Sequence, residues 1–224
     1  MSESIILTGS TGNLGQTVSS VLKEKGYRVL ATTSSERGVN ALEEKGIQGF
    51  QVDLMNEQSV HAFIDSITDY NPRGAVLLAG GFTMNGIEST SFDDLEHMIQ
   101  MNIKTAYVIV NKLLAYFAEK GGQFILIGAK PGLDASLGHQ MAAYSLSKGM
   151  IFHLSELINA YGKGKNIHST VLVPGVIDTA ANREAMPDAD TSSWTSPGAI
   201  AETIAFLLGP GKEVRDSVIK LYND

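Results

Sequence analysis

A chain of 224 residues, 43% hydrophobic and 18% charged, has the length and composition of a single globular domain with a full core. Its formal net charge of −7 argues against a general nucleic-acid binder and against a polybasic membrane-surface protein. It has no cysteine, which excludes disulfides, thiolate catalysis and cysteine metal sites.

The first apolar run starts at Ser4, which leaves no room for a signal peptide, and no run reaches transmembrane length. A cytoplasmic protein is expected. Ile5-Ile6-Leu7 reads as a buried parallel strand that stops at Thr8-Gly9, and Gly12 and Gly15 follow. A glycine turn between a strand and a helix suits a pyrophosphate, because the backbone approaches closely and the helix starts with free N–H groups. The spacing is Gly-x-x-Gly-x-x-Gly, and glycines also mark ordinary loops. Val18 to Lys25 continues as the first crossover helix, with Gly26 as its C-terminal cap.

Arg28 to Thr32 is a second strand. An acid at the end of such a strand binds a ribose 2′-hydroxyl and repels a 2′-phosphate. Here the segment is Thr33-Ser34-Ser35-Glu36-Arg37, with Thr33 standing 24 residues after Gly9, about where that acid is expected. Hydroxyls and a guanidinium suit a phosphate; the same serines also suit the start of a helix. Val39 to Lys45 is a short helix, and Gln48 to Val52 a third strand closed by Asp53-Leu54. Asp53 suits either an adenine amino group or the N-cap of a helix over Glu57 to Asp69.

Ala75 to Ala79 is a fourth strand ending in Gly80-Gly81, a pair that suits either a close flat ring or a plain turn. One long helix is expected from Phe92 to Glu119, a fifth strand over Gln123 to Ile127, a loop at 128–132 and a helix from Met141 to Ala160. Tyr144 and Lys148 sit one turn apart on that last helix, facing the same way. Ile167 to Val173 is a sixth strand, residues 180–195 a lid, Ser196-Pro197 the start of a helix to Leu208, and Val214 to Leu221 a final strand. The alternation of strands and helices predicts an α/β fold, a Rossmann-like doubly wound parallel sheet with helices on both faces. Ligands of such sheets lie outside the carboxyl ends of the strands, where Gly9, Asp53, Gly80 and Gly128 all fall.

Thr8-Gly9-x-x-Gly12-x-x-Gly15, Asp53-Leu54, Ala79-Gly80, Asn102, Tyr144-x-x-x-Lys148 and Pro174-Gly175-x-x-x-Thr179 follow one another in the order of the short-chain dehydrogenase/reductase family. The chain resembles that family over essentially its whole length. The resemblance implies an oxidoreductase that moves hydride between a nicotinamide dinucleotide and a small carbonyl or conjugated, quinonoid substrate. Tyr144 would give the proton, Lys148 would lower the phenol's pKa and bind ribose hydroxyls, and Asn102 would hold a water linking Lys148 to solvent. The cofactor would lie on Gly9, Thr11, Gly12, Asn13, Leu14, Gly15, Ser34, Arg37, Asp53, Leu54, Ala79, Gly80, Gly81, Tyr144, Lys148, Pro174, Gly175, Val176, Ile177 and Thr179. NADP(H) is expected, with NAD(H) possible, and the resemblance further implies a homodimer or homotetramer.

Two departures stand out. Leu77-Leu78 replaces the family's Asn-Asn, and Gly128-Ala129 stands where a serine usually precedes the tyrosine. The run from Gly128 to Asp134, with Ala79-Gly80-Gly81-Phe82, is similar to the dihydropteridine reductase branch, which also lacks that serine. Ser136 and His139 are alternative donors from the loop, though plain loop chemistry is the favoured reading of each. The five histidines show no metal-ligand spacing, so no metal is expected. A second reading is a sensor that binds the dinucleotide without turnover.

Overall fold

A computed structural model describes residues 3–209 and 217–222. The strands are β1 (Ser4–Thr8), β2 (Arg28–Thr33), β3 (Gln48–Gln51), β4 (Pro72–Leu77), β5 (Gly122–Ile127), β6 (Ile167–Pro174) and β7 (Val218–Leu221). Among the described residues they form one sheet in the order β3-β2-β1-β4-β5-β6-β7, every pair parallel. The order reverses between β1 and β4, and the crevice at their carboxyl ends is where such sheets bind ligands.

Successive strand residues point to opposite faces, and both faces are apolar. Ile6, Leu30, Leu77, Phe124, Leu126 and Val171 pack with α3 (Glu57–Ser66), α5 (Thr105–Lys120) and α7 (Ala142–Gly162). Ile5, Leu7, Val29, Val76, Ile125 and Leu172 pack with α1 (Asn13–Glu24), α2 (Glu36–Glu43) and α9 (Pro197–Leu208). Two buried layers of this kind make continuously apolar strands necessary, and those runs made the sheet readable in the sequence.

Three elements differ from expectation. The helix over residues 92–119 divides into α4 (Phe92–Ile99), a π-helical turn at Gln100–Lys104, and α5. The helix expected to Asp69 ends at Ser66, a short 3₁₀ turn follows, and Pro72 opens β4, where a missing N–H is tolerated. The expected lid contains α8 (Ala180–Ala185), while of the last strand residues 214–216 lie outside the described residues. On α7, Ile151, Leu154 and Ile158 are core. Met150 instead joins Leu146, Leu157 and Tyr161 on an outward stripe, each between 44% and 55% exposed.

Candidate active site

The glycine turn closes on itself. Gly9 has φ +66, and a Cβ there would stand 2.9 Å from the Ala79 nitrogen, which donates to Thr8 Oγ1 at 3.2 Å. The β1 turn is therefore pressed against the end of β4. A Cβ at Gly15 would collide with the backbone of Gly9 and Ser10. Because neither neighbour is a flexible side chain, Gly15→Ala is expected to cost about 1–3 kcal/mol, read as a lower midpoint of thermal unfolding. Gly12 is the N-cap of α1 and offers no side-chain cap, the first turn has no acid, and Asn13 and Leu14 open the helix. That leaves unopposed N–H dipoles at the crevice, an arrangement that favours an anion.

Beside the turn lies a pocket of about 290 Å³, lined by residues that include Thr11, Thr33, Ser34, Ser35 and Arg37. Ser35 caps α2 by accepting from the Gly38 nitrogen at 3.2 Å, so the helix-start reading holds for Ser35, while Ser34 and Arg37 also line the pocket. Ser10 ties the turn to β2 by donating to the Thr32 carbonyl at 2.7 Å.

Across the crevice, α7 carries Tyr144 and Lys148. Lys148 is 8% exposed, and its Nζ donates to the Ile127 carbonyl at 2.9 Å, at the end of β5. It lies 5.9 Å from the Tyr144 ring centroid. A Cβ at Gly80 would be 2.5 Å from Asn102 Oδ1 and 3.6 Å from Lys148 Nζ, so Asn102 packs directly on Gly80 with Lys148 close by. Asn102 sits in the π-helical turn and is 1% exposed. Its Oδ1 accepts from the Gly81 nitrogen at 3.0 Å. Its Nδ2 donates to the Gly81 carbonyl at 3.2 Å and to Ser147 Oγ at 3.0 Å. Ser147 Oγ in turn donates to the Tyr144 carbonyl at 2.8 Å. One amide thus fastens the β4 loop to the tyrosine's helix.

Burial sets both ionisable groups. It pushes the Tyr144 phenol up to about 12 and the Lys148 ammonium down to about 8. Desolvation is the leading effect on Tyr144 and favours the neutral phenol, opposite in direction to the lowering by Lys148 that the resemblance implies. Phe82, 59% exposed, meets the Tyr144 ring edge to face at 4.9 Å between centroids.

Where the family's serine would stand, Gly128 is crowded by Phe152 and Val171, and Ala129 is 7% exposed. Neither carries a hydroxyl. Ser136 donates to Asp134 Oδ1 at 2.6 Å, holding that carboxyl below the usual range, and the His139 carbonyl accepts from Ile87. Both residues thus take part in loop structure.

The remaining expected residues lie at strand ends but are engaged locally. Asp53 Oδ1 accepts from the Met55 nitrogen at 2.9 Å, and the N-cap of α3 is Asn56, which corrects the capping alternative for Asp53. Leu54 is a partly buried residue packed against the core. After Pro174, the Gly175 nitrogen donates to Thr195 Oγ1 at 3.0 Å, and the Val176 carbonyl accepts from the Thr195 nitrogen at 2.7 Å. Ile177 forms a bridge with Thr195, and Thr179 caps α8 through the Asn182 nitrogen at 3.2 Å. Thr195, Ser147 and Ser10 are anchors that no local sequence signal marks. Among the described residues, no helix is long and apolar enough to cross a membrane.

The family model described as short chain dehydrogenase matches residues 3–190. The dihydropteridine reductase of Dictyostelium discoideum is 27% identical over 209 residues, covering 91% of this chain and 87% of that protein. Among solved structures, ElxO with NADP bound superposes with a TM-score of 0.90 at 19% identity, covering 99% of this chain and 97% of the other. NAD+-bound xylitol dehydrogenase gives 0.87 at 18% identity, covering 99% and 98%. At those identities the two structures speak for the fold.

Proposed function

The chain belongs to the short-chain dehydrogenase/reductase family of oxidoreductases, and on that premise we propose that it reduces a small carbonyl or conjugated, quinonoid substrate with NADP(H). The observation that carries this reading is the meeting of Tyr144, Lys148 and Gly80 at the reversal of strand order, opposite an uncapped helix N-terminus. The residues present fit such a dinucleotide: the Gly9–Gly15 turn leaves room only for backbone, and the Ser34/Arg37 pocket has the chemistry of a phosphate site.

NADP(H), when bound, supplies the hydride. The protein's own task is then to protonate the acceptor atom. Burial keeps the Tyr144 phenol protonated at neutral pH, the state from which it can give a proton to the acceptor. Lys148, pinned to the Ile127 carbonyl, has its remaining N–H groups for ribose hydroxyls and carries positive charge toward a phenolate left after proton transfer. Asn102 is a positioning residue that keeps Gly81 and the tyrosine's helix together, and the water assigned to it by resemblance remains part of this reading. With no serine beside it, Tyr144 is the main donor to the substrate. That favours an acceptor whose developing charge is delocalised, as in a conjugated ring, and the exposed Phe82 ring offers such a ring a flat surface.

The test is consumption of NADPH and NADH with a panel of carbonyl and quinonoid compounds. Faster oxidation of NADPH with at least one acceptor is expected; tight NADPH binding with no turnover on any of them would favour the sensor reading. The outward stripe on α7 supports a homodimer or homotetramer. Light scattering is expected to give a multiple of the 23.9 kDa chain mass, reduced toward that mass by Leu157→Glu.

A further inference from the structure

The pocket beside the glycine turn contains two cations and no carboxylate among its lining residues, in a chain of net charge −7. Arg37 and Ala41 are one turn apart on α2, and the Lys45 nitrogen donates to the Leu42 carbonyl at 3.0 Å, which carries Lys45 round to line the same pocket. Ala41 is small enough to leave the floor between them open. Lys45 Nζ donates to Gln16 Oε1 at 2.9 Å, and Gln16 Nε2 donates to the Thr11 carbonyl at 3.0 Å. A neutral amide therefore aims the ammonium without neutralising it, and two of its N–H groups remain for another acceptor. Among the described residues, no carboxylate pairs with Arg37 or Lys45.

Both cations are exposed at the rim of one pocket, where an anion gains from each of them, and a phosphate monoester carries −1.5 to −2 at neutral pH. We propose that Lys45, oriented by Gln16, is a second cationic ligand for the 2′-phosphate of NADP(H), opposite Arg37. This rests on the NADP(H) reading and extends it: selectivity is set from both ends of α2, and Gln16 is the positioning residue that links it to the pyrophosphate turn.

The experiment is a fluorescence titration of the full chain with NADPH and NADH, with 2′-AMP and 5′-AMP as competitors. Lys45→Ala is expected to weaken NADPH and 2′-AMP about tenfold while leaving NADH and 5′-AMP within about twofold. Lys45→Arg should recover most of the loss, and Gln16→Ala should show a smaller loss confined to the phosphorylated ligands. The dependence of NADPH affinity on salt should be shallower in Lys45→Ala than in the parent protein. If the parent protein prefers NADPH and Lys45→Ala keeps the full preference, or loses both cofactors equally, the role of Lys45 is refuted while the NADP(H) reading stands. If the parent protein holds NADH as tightly as NADPH, both fall together.

Discussion

Tyr144→Phe is expected to lower the turnover rate by about 10³-fold while leaving the affinity for NADPH unchanged. The substitution removes one oxygen and keeps the ring that meets Phe82 at 4.9 Å, so the helix and the pocket wall are preserved. Gly128 and Ala129 stand in place of a serine, and Ser136 is committed to Asp134, so neither position offers a hydroxyl to take over. The loss should therefore fall on kcat, with KM and cofactor affinity nearly constant, as it does when an interaction made in the transition state is removed. Retention of more than about a tenth of the rate would mean that the proton comes from elsewhere.

Lys148→Met is the second large effect, and it acts on rate and stability in opposite directions. Turnover should fall by a comparable factor, because the variant loses the ammonium that faces the phenol and the ribose. Stability responds to pH in a defined window. Lys148 has a value of about 8 in the fold against an ordinary 10.5. Below pH 8 both folded and unfolded chains hold the proton, and the fold carries the full desolvation cost, about 3 kcal/mol. Between about 8 and 10.5 the unfolded chain binds more protons than the folded one, so this group makes the parent protein more stable as pH rises. The methionine variant lacks that slope. Its midpoint of thermal unfolding, relative to the parent, should be highest near pH 7 and should decline by several degrees toward pH 10. The unpaired Ile127 carbonyl offsets part of the gain at neutral pH but does not alter the trend. A difference that stays flat over this range would show that Lys148 is not held at a lowered value.

The fold was legible because the central strands are buried on both faces, so that their apolar runs survive in the sequence without any knowledge of their partners. The π-helical turn at Gln100–Lys104 was not legible, since one extra residue in a turn barely disturbs the spacing of apolar positions over 92–119. Its consequence is local: it lies where Asn102 is buried and bonded to Gly81. The anchors were hidden for another reason. Ser10 reaches Thr32, Ser147 reaches Asn102 and Thr195 reaches Gly175 and Leu221, all across the fold, and a serine or threonine bonded to a distant partner has no local signature. The same holds for Gln16 and Lys45, which come together only because α1 and the segment after α2 flank one pocket. Spacing reveals a cation one turn from the phenol, whereas the burial that raises the phenol is a property of the assembled fold.

The most direct measurement is a crystal structure of the chain with NADPH. The pyrophosphate is expected on the N–H groups that open α1, the 2′-phosphate in the pocket that Ser34, Arg37 and Lys45 line, and the nicotinamide over Gly80 within reach of Tyr144 and Lys148. A nicotinamide lying away from Tyr144, or a glycine turn that makes no contact with the pyrophosphate, would contradict this arrangement.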